Sequence, residues 1–156
     1  MLIRTLLLMA AILTPATGRQ ALGVFHSWGT FREADPARCF AMAEPVRHGT
    51  GAFASIATWP ARGIRDQFFA RLSRPPRDGV PPMLSIDDRR FTLTARGNQA
   101  WAPDARTDAA IVAAMRSARA MSISGITASG RPFADTYALP GAASAIDAAA
   151  LACLSR

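Results

Sequence analysis

His26 and His48 are the only imidazoles in this 156-residue chain, so a general base working near neutral pH would come from them or from an acid with a shifted pKa. His26 alternates with Val24 and Trp28 in an aromatic-rich run, which suits a structural histidine under an aromatic ring better than a catalytic base. His48 lies in the glycine loop Arg47-His48-Gly49-Thr50-Gly51 and reads as solvated. A serine nucleophile needs an oriented base beside it, and Ser124, in Ser122-Ile123-Ser124-Gly125-Ile126, lacks the leading glycine of a nucleophile elbow. Asp87-Asp88 could form a carboxylate pair, but between two strand-like runs it more simply makes a hairpin turn. Asp135 shares strand parity with Phe133, Tyr137 and Leu139. If that face points inward, Asp135 is buried and needs a partner such as an arginine. If it points outward, Phe133 and Tyr137 form an aromatic patch suited to partner binding. His26, Asp135 and Tyr137 therefore make up the candidate polar site, binding or structural. No catalytic set, cofactor or metal is assigned, because no phosphate loop, dinucleotide fingerprint or calcium loop occurs.

Cys39 and Cys153 are the only cysteines. With no Cys-x-x-Cys and no histidine nearby in sequence, metal binding and thiol catalysis find little support. Cys39 sits in the alternating run Arg38-Cys39-Phe40-Ala41-Met42, and Cys153 continues the helical stripe Ile146, Ala149, Ala150. Both face inward on this reading, and in an oxidising compartment a disulfide is expected; two separate buried thiols are the alternative.

The compartment follows from residues 1–18. Arg4 precedes a short apolar run over residues 5–13, Thr14-Pro15 breaks it, and Ala16-x-Gly18 offers small residues for cleavage. This is the pattern of a secretory leader, too short for a stable membrane span. The expected mature domain is a single unit over residues 19–156, periplasmic or secreted, with no transmembrane segment once the leader is gone. All 18 basic residues are arginine, and removing the leader takes away Arg4 and no acid, which brings the net charge from +7 to +6. That charge is compatible with an anionic surface as partner. The arginines are scattered, which argues against a specific nucleic-acid footprint.

Most of the mature chain reads as short strands with turn signals between them: residues 22–32, with a bulge at Gly29; 38–46, after an Asp35-Pro36 turn; 52–59, stopped by Pro60; 66–73; 83–86 and 89–95 about Asp87-Asp88; and the hairpin 121–128 with 132–139. Phe68, Ala70 and Leu72 share one face. A helix is expected over residues 108–118, with Thr107 as N-cap, and another over 142–154. Many short strands with two late helices predict an antiparallel sandwich.

Asp108-x-x-Ile111-x-x-x-Met115-Arg116, Gly130-x-x-x-x-Asp135-Thr136-Tyr137-x-Leu139-x-Gly141, and the helix from Ala145-Ile146-Asp147-x-Ala149 to Cys153 together resemble the invasion-associated locus B family of small secreted or periplasmic bacterial proteins, over about residues 20–155. The resemblance implies a mainly β, immunoglobulin-like antiparallel sandwich with two helices in the C-terminal part. Some members are linked to invasion of host cells, without an agreed mechanism. The expectation is an exported, non-catalytic interaction module of the bacterial envelope or secretome, its partner an envelope or host macromolecule. A small periplasmic hydrolase using His26 and an acid, or a purely structural periplasmic protein, are the alternatives. A serine, His26 and an acid within hydrogen-bond reach would favour the hydrolase. An exposed apolar patch rimmed by arginines would favour the interaction module.

Overall fold

The computed structural model describes residues 18–154; the expected leader, apart from Gly18, lies outside the described residues. In chain order the strands are β1 (Gln20–Phe25), β2 (Trp28–Ala34), β3 (Ala37–Ala43) and β4 (Phe53–Trp59). A 3-10 turn (Pro60–Arg62) leads to β5 (Ile64–Arg71), β6 (Met83–Ile86), β7 (Arg89–Thr92), β8 (Thr94–Arg96) and β9 (Gln99–Trp101). Helix α1 (Ala105–Met115) is followed by β10 (Ala120–Ile126), β11 (Pro132–Ala138) and α2 (Ala142–Leu154). They form a seven-stranded sheet of order β1-β2-β3-β4-β5-β9-β8 and a four-stranded sheet of order β11-β10-β6-β7. All pairings are antiparallel. The mainly β, two-sheet arrangement with two helices matches the fold class read from the sequence.

Three local expectations change. The run 22–32 is not one bulged strand. The chain reverses at His26-Ser27, so that Phe25 pairs with Trp28, and the irregularity falls between Ala21 and Gly23. His26 takes a left-handed φ of 54° there; a turn without glycine or asparagine leaves little trace in sequence. The run 89–95 is not one strand either. Leu93, 1% exposed, donates its N–H to the Pro82 carbonyl at 3.0 Å, and the chain passes there from the small sheet to the large one. Finally, Asp104, not Thr107, caps α1: its carboxylate accepts the Thr107 N–H at 2.7 Å. Asp104 has the extended backbone that an N-cap needs, and Thr107 is the residue whose orphan N–H it satisfies.

Period-2 alternation places Thr30, Ala41, Ile56 and Phe68 in one row across four strands of the large sheet. With Trp28, Ala43, Ala54 and Ala70 they make its inner face, which is buried. Helix α2 packs on β1 to β4. Its contact stripe is largely alanine (Ala142, Ala145, Ala149), which lets the helix approach closely, and Thr30 Oγ1 donates to the Ala145 carbonyl at 3.1 Å. Cys39 and Cys153 are bonded, with Cα atoms 5.8 Å apart, so the end of α2 is tied to β3. Helix α1 lies against β5, β6 and β7. One contiguous core joins both sheets and both helices, and within it the fully buried Trp28 donates its indole N–H to the Ala138 carbonyl at 2.9 Å.

Candidate functional site

The three residues singled out in the sequence do not form one site. His26 is an exposed turn residue, and among the described residues its side chain makes no hydrogen bond to an acid or a serine. It does not lie under an aromatic ring as its alternation with Trp28 suggested, because the reversal at His26-Ser27 breaks that alternation. Gly141 presses against this turn; a Cβ there would lie 2.1 Å from the Phe25 carbonyl oxygen. Asp135 is 4% exposed and inward-facing. Its partner is the Ser73 backbone N–H, at 2.8 Å on Oδ2, rather than an arginine. Tyr137 is 0% exposed, and its hydroxyl has no hydrogen-bond partner among the described residues. Burial, with the Asp135 carboxylate adding to it, pushes the phenol well above its ordinary range. Phe133 and Tyr137 are therefore core, and the outward aromatic patch considered for them does not occur.

A second buried acid shows why such groups are present. Phe68, Ala70 and Leu72 direct their N–H groups toward β9. Leu72 finds the Asn98 carbonyl at 2.7 Å, but β9 stops at Trp101, one pair short of Phe68. Asp108 on α1 fills the gap: Oδ1 accepts the Phe68 N–H at 2.8 Å. Burial raises the Asp108 pKa; the Phe68 N–H opposes the shift, while the Asp104 and Asp66 charges add to it. Asp108 and Asp135 thus complete the hydrogen bonding of β5 and its exit, a structural use of carboxylates.

The outer face of the large sheet differs. The registers align Phe31 with Phe40 and Ala57, and Met42 with Ser55, Phe69 and Trp101; no helix packs against this face among the described residues. Phe31 and Phe40 stack with centroids 5.4 Å apart, and Phe53 and Phe69 lie at 5.9 Å. Arginines lie over the rings instead of a covering element. Arg19 Cζ is 5.2 Å from the Phe40 centroid and Arg38 Cζ 4.6 Å from it; Arg38 and Arg62 also lie over Trp59, at 5.1 and 5.6 Å. Glu33 holds two of these guanidinium groups, accepting Arg38 Nε at 2.6 Å and Arg19 Nε at 2.9 Å. The hydrogen bond from Arg38 is the main reason the Glu33 carboxyl is held below its ordinary range. Between the aromatic side chains is a slot of about 270 Å³, with Ala57 and Ser55 as its floor. Sequence reasoning missed this face because each alternating run was credited with one buried parity. The signal was present in residues 53–59 and 67–70, where both parities carry apolar residues.

A larger cavity, about 390 Å³, lies beside the disulfide between Trp59-Pro60, Ile64 and α2. Among the described residues, no histidine, serine or free thiol lines it. Arg116, at its edge, is paired with Asp147 at 2.7 and 3.2 Å. No helix among the described residues is long and apolar enough to cross a membrane.

No family model matches the chain, and no curated protein matches it. Among solved structures, it is similar to the crystal structure of invasion associated protein B from Bartonella henselae, with a TM-score of 0.62 and 17% identity over 85% of this chain and 98% of that one. At that identity the likeness is one of fold. The mainly β architecture of two antiparallel sheets, the two helices and the extent of the match agree with the resemblance carried by the Asp108, Asp135 and Ala145 motifs: the chain has the invasion-associated-protein-B-like fold.

Proposed function

We propose that the protein is an exported, non-catalytic binding module of the bacterial envelope or secretome, and that it meets an envelope or host macromolecule through the outer face of its large sheet. The observation that carries this reading is the row of half-buried aromatic side chains there, rimmed by Arg19, Arg38 and Arg62. Aromatic residues and arginine are the types that dominate binding energy at interfaces. The disulfide and the likeness to a protein named as invasion associated fit an exported role of this kind. The net charge, +7 for the full chain and +6 without residues 1–18, favours encounter with acidic surfaces, an attraction that weakens with salt. The test is capture from envelope and host-cell extracts with the wild type, with Phe53→Glu on the open face, and with Leu151→Glu on the exposed side of α2. Capture of the same partner by the wild type and the Leu151 variant, but not by the Phe53 variant, is expected. Equal capture by all three would rule this face out.

A further inference from the structure

We infer that the slot beside Ala57 is a receptor for a peptide C-terminus whose last residue has a large apolar side chain. The inference rests on the open face being the contact surface. Arg19 and Arg38 each spend only Nε on Glu33, so the Nη groups of both have no protein partner among the described residues. Both guanidinium groups are held between the Glu33 carboxylate and the Phe40 ring. A guanidinium held in this way is preorganised for a second carboxylate. On the far side of the slot, Gln67 Oε1 accepts the Trp59 indole N–H at 2.8 Å, which leaves its amide N–H groups free. The Ser55 hydroxyl is used on the Phe69 carbonyl, at 3.4 Å.

The Nη groups of Arg19 and Arg38 and the amide N–H groups of Gln67 are therefore the unpaired donors around the slot, and two of these three side chains are cations. A suitable ligand presents an anionic oxygen for the arginines and a second accepting oxygen for Gln67. A peptide terminus does this, with its carboxylate for the arginines and the preceding carbonyl for Gln67. A hydrocarbon tail would bury the Gln67 amide unpaired, and a neutral sugar would bring no charge to meet the two guanidinium groups. The volume of about 270 Å³ lies just below the roughly 300–1,000 Å³ usual for small-molecule sites, which suits one large side chain with its carboxylate.

The test is a titration of the exported protein, followed by tryptophan fluorescence and calorimetry. The ligands are an acetylated tripeptide ending in phenylalanine as the free acid, the same peptide as its C-terminal amide, and decanoate. The free acid should bind saturably. The amide should bind about tenfold more weakly or worse, because the charge-assisted bonds are lost. Arg19→Gln and Arg38→Gln should each weaken the free acid about fivefold or more, while Arg89→Gln, whose guanidinium lies over Phe91 in the other sheet, leaves it unchanged. Ala57→Leu should fill the slot and abolish binding. Ala57 is 6% exposed, so if that variant unfolds, the two arginine variants decide. Equal binding of acid and amide, tighter binding of decanoate, unchanged binding in the arginine variants, or no saturation by about 1 mM would each overturn the inference. If the peptide fails while Phe53→Glu still loses the captured partner, the ligand assignment falls and the binding face stands.

Discussion

The inner and outer faces of the seven-stranded sheet are built from the same alternating strands, yet they solve the exposure of apolar side chains differently. On the inner face, α2 and the small sheet cover Trp28, Ile56 and Phe68, and buried polar groups such as Asp108 and Asp135 are each given a backbone N–H. Full burial of a large side chain there contributes about 1.5–3 kcal/mol. On the outer face no element packs among the described residues, and the rings of Phe40 and Trp59 are screened by Arg19, Arg38 and Arg62. Contacts of that kind contribute about 0.5–1 kcal/mol each when exposed. On the proposed reading a partner docks on this arginine screen at little cost to the fold, whereas the inner face cannot be opened without unfolding. The comparison separates stability from binding: substitutions inside should act on the first, and those outside on the second.

The largest test of that separation is the disulfide. It closes a separation of 114 residues and holds α2 on the inner face. Reduction, or Cys39→Ser with Cys153→Ser, should lower unfolding free energy in urea by about 4–5 kcal/mol on loop-entropy grounds. A loss below about 1 kcal/mol would mean that alanine packing alone keeps the helix seated.

Next comes Asp108. Asp108→Ala orphans the Phe68 N–H and should cost about 1–3 kcal/mol, whereas Asp108→Asn keeps an acceptor oxygen and should be close to neutral. The pH dependence has a definite sign. Because burial raises this carboxyl's pKa in the folded state, the native protein holds its proton more tightly than the unfolded chain. Its contribution to stability therefore falls as pH rises from the ordinary value of 3.8 through the raised one. That component of the pH profile should disappear in Asp108→Asn; a profile identical to wild type would show that Asp108 titrates as an exposed acid.

Tyr137→Phe should have a smaller effect, of opposite sign. The hydroxyl is buried without a partner, so its removal should raise stability by about 1 kcal/mol. A loss of that size would reveal a hydrogen bond to a buried water. Smallest of all is Arg38→Gln on the outer face. Its thermal stability should stay within about 0.5 kcal/mol of wild type, even as peptide binding falls. A variant that melts early would make this arginine part of the fold rather than of the receptor.

How much of this was legible beforehand depends on how local each feature is. The break at Pro60, the turns at Asp35-Pro36 and Asp87-Asp88, the α2 span and the inward parity of Phe68, Ala70 and Leu72 all follow from near-neighbour residue types, and each is present in the fold. The His26-Ser27 reversal and the passage between sheets at Leu93 are not legible, because neither carries a glycine or proline signal, and Leu93 is held by the Pro82 carbonyl. The candidate site is the least legible part. Asp135 and Tyr137 stand out in the sequence as polar residues on an apolar face, but their roles depend on which way that face points.

Local residue order is enough for the strand-rich class, the alternation within strands such as β10 and β11, the C-terminal helix and the inward placing of both cysteines. Periodicity and turn chemistry act over a few residues and need no partner to be read. Only the tertiary structure decided which of the two apolar faces α2 covers, which backbone N–H groups Asp108 and Asp135 serve, and that Arg19, Arg38 and Glu33 meet over Phe40 beside an open slot. Those outcomes depend on side chains far apart in the chain, and a strand's own alternation carries no information about which of its sides will be left uncovered.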